Sequence, residues 1–341
     1  MKRLIALAVI VGCAVLGLQA QDGPYKLIKE IAIGGEGGWD YLSVDAPNKR
    51  LYVSHATKAV VVDLAKDAVI GEIADTPGIH GAVAATPGRV FTSNGRGNNA
   101  SIVDAKTLQT ISKIETEGNP DFIMFEPKQK EVYTFNGRGR SATVIGADSG
   151  QVVATIPLGG KPEAAVTDAA AGRVYVNIED KNTVAVIDIP THKVVATWPI
   201  APGEEASGLA IDVKNHRLFI GAGNKLMLMM DSTTGQIVGQ VPVGPGVDAT
   251  VFDPGNGYAI SSSGDGTTTI AHEDSPAELS VVQVLRTAPG ARTMALDPMT
   301  HRLYLPTANF STAPPEAPGG RGRVTIEPNS MKILVYGLNG K

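Results

Sequence analysis

A strand-like unit recurs seven times along this chain, and the repeat limits the folds that are open to it. Most units begin with an arginine followed by an apolar pair, and the anchor positions are Tyr52, Phe91, Tyr133, Tyr175, Phe219, Ile260 and Tyr304. The intervals between successive anchors are 39, 42, 42, 44, 41 and 44 residues. A period near 42 residues that is built only from strands is typical of β-propeller blades, at roughly 40–45 residues each. We therefore predict an all-β protein, a single seven-bladed β-propeller with four-stranded antiparallel blades.

The last repeat lacks one strand, and the N-terminal region offers a replacement. Residues 291–337 supply three strand-like segments, whereas 27–33 form a strand-like segment that belongs to no repeat of its own. An outer strand donated by the N-terminal region joins the two ends of the chain and removes open sheet edges, which otherwise invite aggregation. The sequence thus predicts a ring closed by an N-terminal strand.

The first twenty residues resemble an export signal. Two basic residues precede an apolar stretch, and Ala20 is a small residue suited to cleavage. We predict a signal peptide at 1–20 and a propeller at 21–341 that is periplasmic or secreted, with no integral membrane segment after cleavage. A lipoprotein formed at Cys13 is the alternative, because the residues before this cysteine resemble a lipobox.

Composition excludes several classes of site. Cys13 is the only cysteine, so a chain cleaved after Ala20 forms no disulfide, cysteine–zinc site or c-type haem attachment. The formal net charge of −4 disfavours nucleic acid as a partner. The Gly-x-Gly segments lie in predicted hairpin turns rather than between a strand and a helix, so they do not indicate dinucleotide binding. We expect the protein to be a monomer, and we expect its partner to be a small molecule or another protein.

The repeat resembles that of a known family. Segments such as Leu51-Tyr52-Val53-Ser54 and Val174-Tyr175-Val176-Asn177 are similar to the YVTN-type β-propeller repeat, to which exported YncE-like proteins belong. The resemblance covers residues 25–337 and implies the propeller fold. It implies no single activity, since related propellers include nucleic-acid binders and domains of cofactor enzymes such as amine dehydrogenases and nitrite reductases. The histidine and cysteine motifs that ligate the cofactor in the haem enzymes are not present in this sequence.

Alignment of the repeats predicts a cluster of charges at one end of the central channel, which we call the channel mouth. The first strand of each blade lines the channel of such a propeller, so equivalent positions face one another. The position at the start of that strand holds Asp40, Gly81, Asp121, Glu163, Ser207, Asp248 and Arg292. Carboxylates gathered there raise one another's pKa unless a cation offsets them. Three interpretations stay open: a water-filled channel balanced by Arg292 and loop lysines, a bound cation or cationic ligand, and catalysis by a carboxylate.

Other polar residues are predicted on the same face. They are Trp39 and His80 beside the strand starts, His55 after a second strand, and Arg96, Asn136, Arg138 and Glu179 in loops between second and third strands. The two loop arginines suit an anionic group on a ligand, or they pair with mouth carboxylates. His55, His80 and nearby carboxylates form a candidate mixed nitrogen–oxygen metal site, and a divalent metal ion is the one cofactor considered. The Pro- and Gly-rich loop at 309–328 is either an insertion or a lid.

These features predict recognition of a small ligand, an ion or a protein partner at the channel mouth. The ligand-binding residues expected are Trp39, Asp40, His55, His80, Arg96, Asp121, Asn136, Arg138, Glu163, Glu179, Asp248 and Arg292. The alternative is a metal-assisted hydrolase or lyase in which mouth carboxylates, with His80, hold an ion that polarises a carbonyl. The sequence names neither the ligand nor a catalytic residue.

Overall fold

Seven antiparallel sheets of four strands each form the blades of a β-propeller, as the repeat predicted. The computed structural model describes residues 23–86, 88–313 and 323–339. The predicted signal peptide at 1–20 lies outside these residues. Within the part of the chain that is described, no helix has the length and apolar character needed to cross a membrane.

The blades are numbered in chain order, and blade 7 takes its fourth strand from the N-terminal region. The first strands, which line the channel, are Leu42–Asp45, Ile79–Ala84, Pro120–Glu126, Pro162–Asp168, Ala206–Asp212, Val247–Asp253 and Ala295–Asp297. The second strands are Arg50–His55, Arg89–Asn94, Glu131–Asn136, Arg173–Ile178, Arg217–Ala222, Tyr258–Ser263 and Arg302–Thr307. The third strands are Lys58–Asp63, Asn99–Asp104, Ser141–Gly146, Thr183–Asp188, Leu226–Asp231, Thr267–Ser275 and Lys332–Leu338. The fourth strands are Ala68–Ile73, Thr110–Glu115, Val152–Pro157, Lys193–Pro199, Ile237–Pro242, Glu278–Arg286 and Tyr25–Ala32.

The core is divided among the interfaces between blades. Seven clusters of buried apolar side chains are present in the described chain, and each one joins two neighbouring blades. Phe91 of blade 2, for example, packs with Ile123 and Val132 of blade 3. Because the second and third strands are covered on both faces, the sequences of most of them contain short runs of consecutive apolar residues. The fourth strands alternate instead, and apolar side chains such as Val195 stay exposed on the outer edge.

The N-terminal strand closes the ring, which confirms the predicted pairing. Tyr25–Ala32 runs antiparallel to Lys332–Leu338, from the pair Tyr25 and Leu338 to the pair Ala32 and Lys332. Tyr25 and Ile31 are 2% and 3% exposed, so this strand contributes side chains to the core as well as backbone hydrogen bonds.

A glutamine from the neighbouring blade fixes the start of the closing strand. Gln283, in the fourth strand of blade 6, is buried. Its side-chain oxygen accepts a hydrogen bond from the backbone nitrogen of Tyr25 at 2.9 Å, and its side-chain nitrogen donates to the Tyr25 carbonyl at 2.8 Å. The amide therefore satisfies both polar backbone groups of a residue at the end of the sheet.

Replacement of Gln283 by alanine is expected to destabilise the fold by about 2–6 kcal/mol, because two buried backbone groups lose their partners at about 1–3 kcal/mol each. Urea denaturation of the purified variant measures the change. Gln240→Ala is the matched control, since Gln240 is exposed on the fourth strand of blade 5. Equal effects of the two substitutions would show that the Gln283 side chain does not hold the closing strand.

A two-stranded hairpin interrupts blade 7 between its second and third strands. Phe310–Ala313 pairs with Arg323–Ile326, within the loop predicted at 309–328. Two 3₁₀ turns, Gly95–Gly97 and Glu179–Lys181, connect the second and third strands of blades 2 and 4. These connections lie beside the candidate site.

Candidate functional site

One polar pocket of about 430 Å³ lies at the channel mouth, and we call it the mouth pocket. Its walls come from blades 1 and 3–6 and from the segment that leads into blade 7. The lining residues are Asp40, Tyr41, Asp121, Lys161, Glu163, Glu179, Glu205, Ser207, Gly223, Gly246, Val247, Asp248 and Arg292. Six of the predicted site residues, namely Asp40, Asp121, Glu163, Glu179, Asp248 and Arg292, are thus brought together.

Hydrogen bonds between neighbouring blades hold the pocket walls in place. The Thr293 hydroxyl donates to the Asp40 carbonyl at 2.8 Å, and the Ser93 hydroxyl donates to the Asp121 carbonyl at 2.7 Å. On the other side of the ring, the Ser207 hydroxyl donates to the Val247 carbonyl at 2.9 Å. In each case a side chain of one blade fixes the backbone at the start of the next first strand. The backbone that carries Asp40, Asp121 and Asp248 is therefore fixed by side chains of neighbouring blades.

Acidic side chains outnumber basic ones in the mouth pocket, with six carboxyl groups and two cationic side chains in its lining. Lys161 Nζ lies 2.6 Å from Glu163 Oε1 and also pairs with Glu179. Arg292 Nε lies 3.1 Å from Asp248 Oδ2. The two resident cations thus leave an excess of carboxylate, as the sequence predicted for the channel mouth.

The buried carboxyl groups of the pocket resist ionisation. Burial raises the pKa of Asp248 to about 7, against the opposing effect of Arg292. Burial likewise raises the pKa of Asp121 to about 7 and moves that of Glu163 above its usual value. A carboxyl group with a pKa near 7 changes its charge at neutral pH when a cation arrives or leaves.

His80 joins two of the mouth carboxylates. Its Nδ1 lies 2.6 Å from Asp40 Oδ2 and 3.3 Å from Asp121 Oδ1. Burial alone lowers the pKa of the imidazole, but the hydrogen bond to Asp40 and the charge of Asp121 outweigh it and raise the pKa. The ligand atoms of these three residues lie within 4.8 Å of one another, which is close enough to hold a metal ion.

An apolar cavity of about 490 Å³ continues along the channel below the mouth pocket. Tyr41 and Asp248 line both spaces. The Tyr41 ring stands edge-on against Phe122, with centroids 4.9 Å apart, and its hydroxyl lies 3.4 Å from Glu163 Oε2. Burial, followed by the charge of Asp121, raises the pKa of Tyr41 well above its usual value, so the phenol stays neutral. Tyr41 thus marks the boundary between the polar and the apolar parts of the channel.

Two predicted site residues lie outside the mouth pocket because their side chains are buried within the fold. His55 is 1% exposed, and its Nδ1 faces the Gly38 carbonyl at 3.3 Å, beneath the segment that precedes blade 1. The Asn136 side chain points into blade 3, where its amide nitrogen donates to Ser141 and Thr143 at 3.1 and 3.0 Å. Their places in the chain suggested exposure on the mouth face, but local polar contacts turn both side chains inward.

Three other predicted residues lie near the mouth without lining the pocket. Trp39 packs against Phe310 of the blade 7 hairpin, with ring centroids 6.2 Å apart, in a small side pocket that it shares with Arg292. Arg96 and Arg138 are exposed in the loops of blades 2 and 3. Neither arginine forms an ion pair with any residue of the described chain, so the predicted pairing with Asp121 and Glu163 is not observed.

Sequence reasoning missed three residues that bring polar or charged side chains to the pocket: Tyr41, Lys161 and Glu205. All three adjoin a first strand but occupy other positions than the one that was aligned. Lys161 lies two residues before Glu163, and residues two apart on an extended chain point to the same side. That alternation was the available signal for the lysine. Tyr41 carries no comparable signal, because an aromatic residue beside a strand usually indicates core packing.

The fold and the pocket together define a seven-bladed β-propeller with an acidic pocket at one end of its channel. No protein-family model matches the sequence, and no curated protein matches it either. A chain in the crystal structure of the mitotic checkpoint complex has a TM-score of 0.73 and 12% identity, with 98% of each chain covered. A chain of Kuenenia stuttgartiensis hydrazine synthase has a TM-score of 0.68 and 18% identity, covering 86% of this chain and 96% of that one. Likeness at these identities shows the fold alone, so membership of the YVTN-type family stays a prediction.

Proposed function

We propose that this propeller is a recognition module that binds a small, positively charged ligand in the mouth pocket. The observation that carries the proposal is the excess of carboxyl groups, six against two cationic side chains, around one pocket. Packing does not require such a cluster, because burial of carboxylates that repel one another opposes folding. A bound cation offsets that repulsion.

The ligand that fits best carries an ammonium or guanidinium group. Both groups donate several hydrogen bonds and accept none, which matches carboxylate oxygens. A volume of about 430 Å³ lies near the lower end of the range for small-molecule sites, roughly 300–1,000 Å³. Glu163 and Asp248 are the side chains expected to face the cationic group, because both line the mouth pocket and are not engaged by His80, which contacts Asp40 and Asp121.

Calorimetric titration with 1,4-diaminobutane and with methylguanidinium tests the proposal. Replacement of the two acids together, Glu163→Gln with Asp248→Asn, is expected to weaken binding by at least about 100-fold, because each charge-assisted hydrogen bond contributes about 1.5–3 kcal/mol. Binding near pH 7 should also release protons, since a cation stabilises the ionised form of Asp248. Titrations in two buffers of different ionisation enthalpy measure that release.

The control variant keeps the acids and removes the exposed arginines, Arg96→Ala with Arg138→Ala, and should bind both cations as the native protein does. Failure of the native protein to bind either probe would count against the organic-cation proposal. Binding of succinate that is lost in the arginine variant would instead favour an anionic ligand at the loops of blades 2 and 3, the other interpretation of the sequence.

Two further proposals extend the sequence predictions. Propellers commonly mediate protein interactions, so a protein presenting a lysine or arginine side chain is a candidate occupant of the same pocket.

Export is proposed from the signal-like residues 1–20, and N-terminal sequencing of the mature protein tests cleavage after Ala20. The YVTN-type resemblance supports export of the protein. The alternative function, a metal-assisted hydrolase or lyase, requires a bound ion.

A further inference from the structure

We infer that Asp40, His80 and Asp121 form a binding site for one divalent transition-metal ion at the blade 1–3 side of the mouth. The inference goes beyond the proposed function, because it concerns a different ligand and a different set of side chains from Glu163 and Asp248. It would hold even if no organic cation bound to the pocket.

The geometry of the three side chains suits a shared ion. An ion with ligand distances of about 2.0–2.2 Å places neighbouring ligand atoms roughly 3.0–3.5 Å apart. His80 Nδ1 already lies 2.6 Å from Asp40 Oδ2 and 3.3 Å from Asp121 Oδ1. The ion is admitted when the imidazole and Asp40 separate by about 0.4–0.9 Å. All three ligand atoms lie within 4.8 Å of one another, so side-chain movements of about 1 Å bring them onto one ion.

The far side of the imidazole faces Asn119, an oxygen acceptor of the kind that supports a metal-ligating histidine. Such a histidine usually donates its other ring N–H to an oxygen acceptor, which fixes the ring and leaves the ligating nitrogen free. Asn119 lies on this side of the ring, since its Oδ1 and His80 Nε2 are 2.8 and 2.6 Å from the position that a Cβ on Gly95 would occupy. The backbone of Asn119 is itself anchored, since its nitrogen donates to Asn98 Oδ1 at 2.9 Å.

Gly95 is needed for this placement of the ring. A Cβ at this position would lie 2.6 Å from His80 Nε2 and 2.7 Å from His80 Cδ2, closer than real Cβ contacts. Gly95 begins the 3₁₀ turn of blade 2, directly after the second strand of that blade. The glycine therefore leaves room for an imidazole that is aimed at two carboxylates of the neighbouring blades.

The donor set indicates the class of ion. One imidazole nitrogen with two carboxylate oxygens suits Zn²⁺, Mn²⁺ or Fe²⁺ better than Ca²⁺ or Mg²⁺, which prefer oxygen alone. The side chains of His80, Asp40 and Asp121 are 27%, 20% and 14% exposed, so solvent reaches the group from the pocket. Three protein ligands leave further positions on the ion for water or for a ligand in the mouth pocket.

Metal content of untagged, full-length protein tests the inference. After treatment with a chelator and dialysis against Zn²⁺ or Mn²⁺, one equivalent per chain is expected, and calorimetry gives the affinity. His80→Gln should weaken binding by at least about 100-fold, and Asn119→Ala by about 10- to 100-fold, the usual effect of losing an outer-shell partner. His272→Gln is the matched control and should bind normally, because His272 also contacts an aspartate, Asp274, but is not part of this group.

A second variant covers the case in which His80→Gln fails to fold. Gly95→Ala keeps all three ligands but displaces the imidazole, so it should lower metal affinity at least about tenfold while the circular dichroism spectrum stays native. Absence of a stoichiometric ion in the native protein would overturn the inference, and so would full affinity in both His80→Gln and Gly95→Ala. Binding of organic cations by the Glu163 and Asp248 side of the pocket is measured separately, so the two proposals can fail independently.

Discussion

Deletion of residues 25–32 unfolds the protein or drives it into aggregates, the largest effect that we expect from any change described here. The deletion removes two buried side chains, Tyr25 and Ile31, each contributing roughly 1.5–3 kcal/mol by burial. It also leaves Lys332–Leu338 with one unpaired edge, since that strand pairs with Tyr25–Ala32 along its length. Together these losses are comparable with the whole stability of a typical domain, about 5–15 kcal/mol.

Thermal melting and size-exclusion chromatography of the deletion variant measure this effect. The control is Leu27→Ser in the intact strand, because Leu27 is 48% exposed and its replacement leaves the backbone pairing in place. We expect the control to change stability by no more than about 0.5 kcal/mol. A deletion variant that remained monomeric with an unchanged melting temperature would contradict ring closure by the N-terminal strand.

Asp248→Asn is expected to stabilise the protein above pH 7 while weakening the binding of cations. The folded state holds the pKa of Asp248 at about 7 by burial, above the value of 3.8 for an unperturbed aspartate. The folded protein therefore binds the proton more tightly than the unfolded chain, and the free energy of unfolding falls as pH rises from about 4 to about 7. At about 1.36 kcal/mol per pKa unit, removal of the carboxyl raises the free energy of unfolding above pH 7 by up to about 4 kcal/mol. Loss of the ion pair with Arg292 reduces this gain.

Urea denaturation of native and variant protein at pH 4, 6 and 8 measures this difference. We expect the two curves to approach each other at pH 4, where the carboxyl is protonated in the folded state and close to half protonated in the unfolded chain, and to separate with the variant more stable at pH 8. Glu36→Gln removes one charge at an exposed position and serves as the control. A variant that is less stable than the native protein at pH 8 would show that Asp248 supports the fold rather than a ligand.

Repetition explains why the fold was predictable from this sequence. Each blade repeats the same pattern of apolar and turn residues, so one alignment located the strands, the blade number and the missing strand that 27–33 supply. The same alignment brought Asp40, Asp121, Glu163 and Asp248 to one end of the channel, because equivalent positions in a closed ring face a common axis.

Features that do not repeat could not be predicted in the same way. His55 is covered by the segment before blade 1, which has no counterpart in the other blades, and burial there lowers the pKa of its imidazole. The Asn136 side chain turns inward because Ser141 and Thr143, on the neighbouring strand, accept hydrogen bonds from its amide nitrogen. This orientation depends on three-dimensional contacts. The contact between His80 and Asp40 joins two blades, and no single repeat contains it.

Closure of the ring by its two ends has a consequence for biosynthesis. About 300 residues separate Ala32 from Lys332, so the N-terminal strand leaves the ribosome long before its pairing partner. Until then the apolar faces of blades 1 and 6 that later pack against blade 7, including Leu51 and Ile260, lack their cover. Such distant contacts slow folding and leave a nascent chain prone to aggregation. The nascent propeller is therefore a natural client for chaperones, and a translation product that stops short of blade 7 is a target for proteolysis.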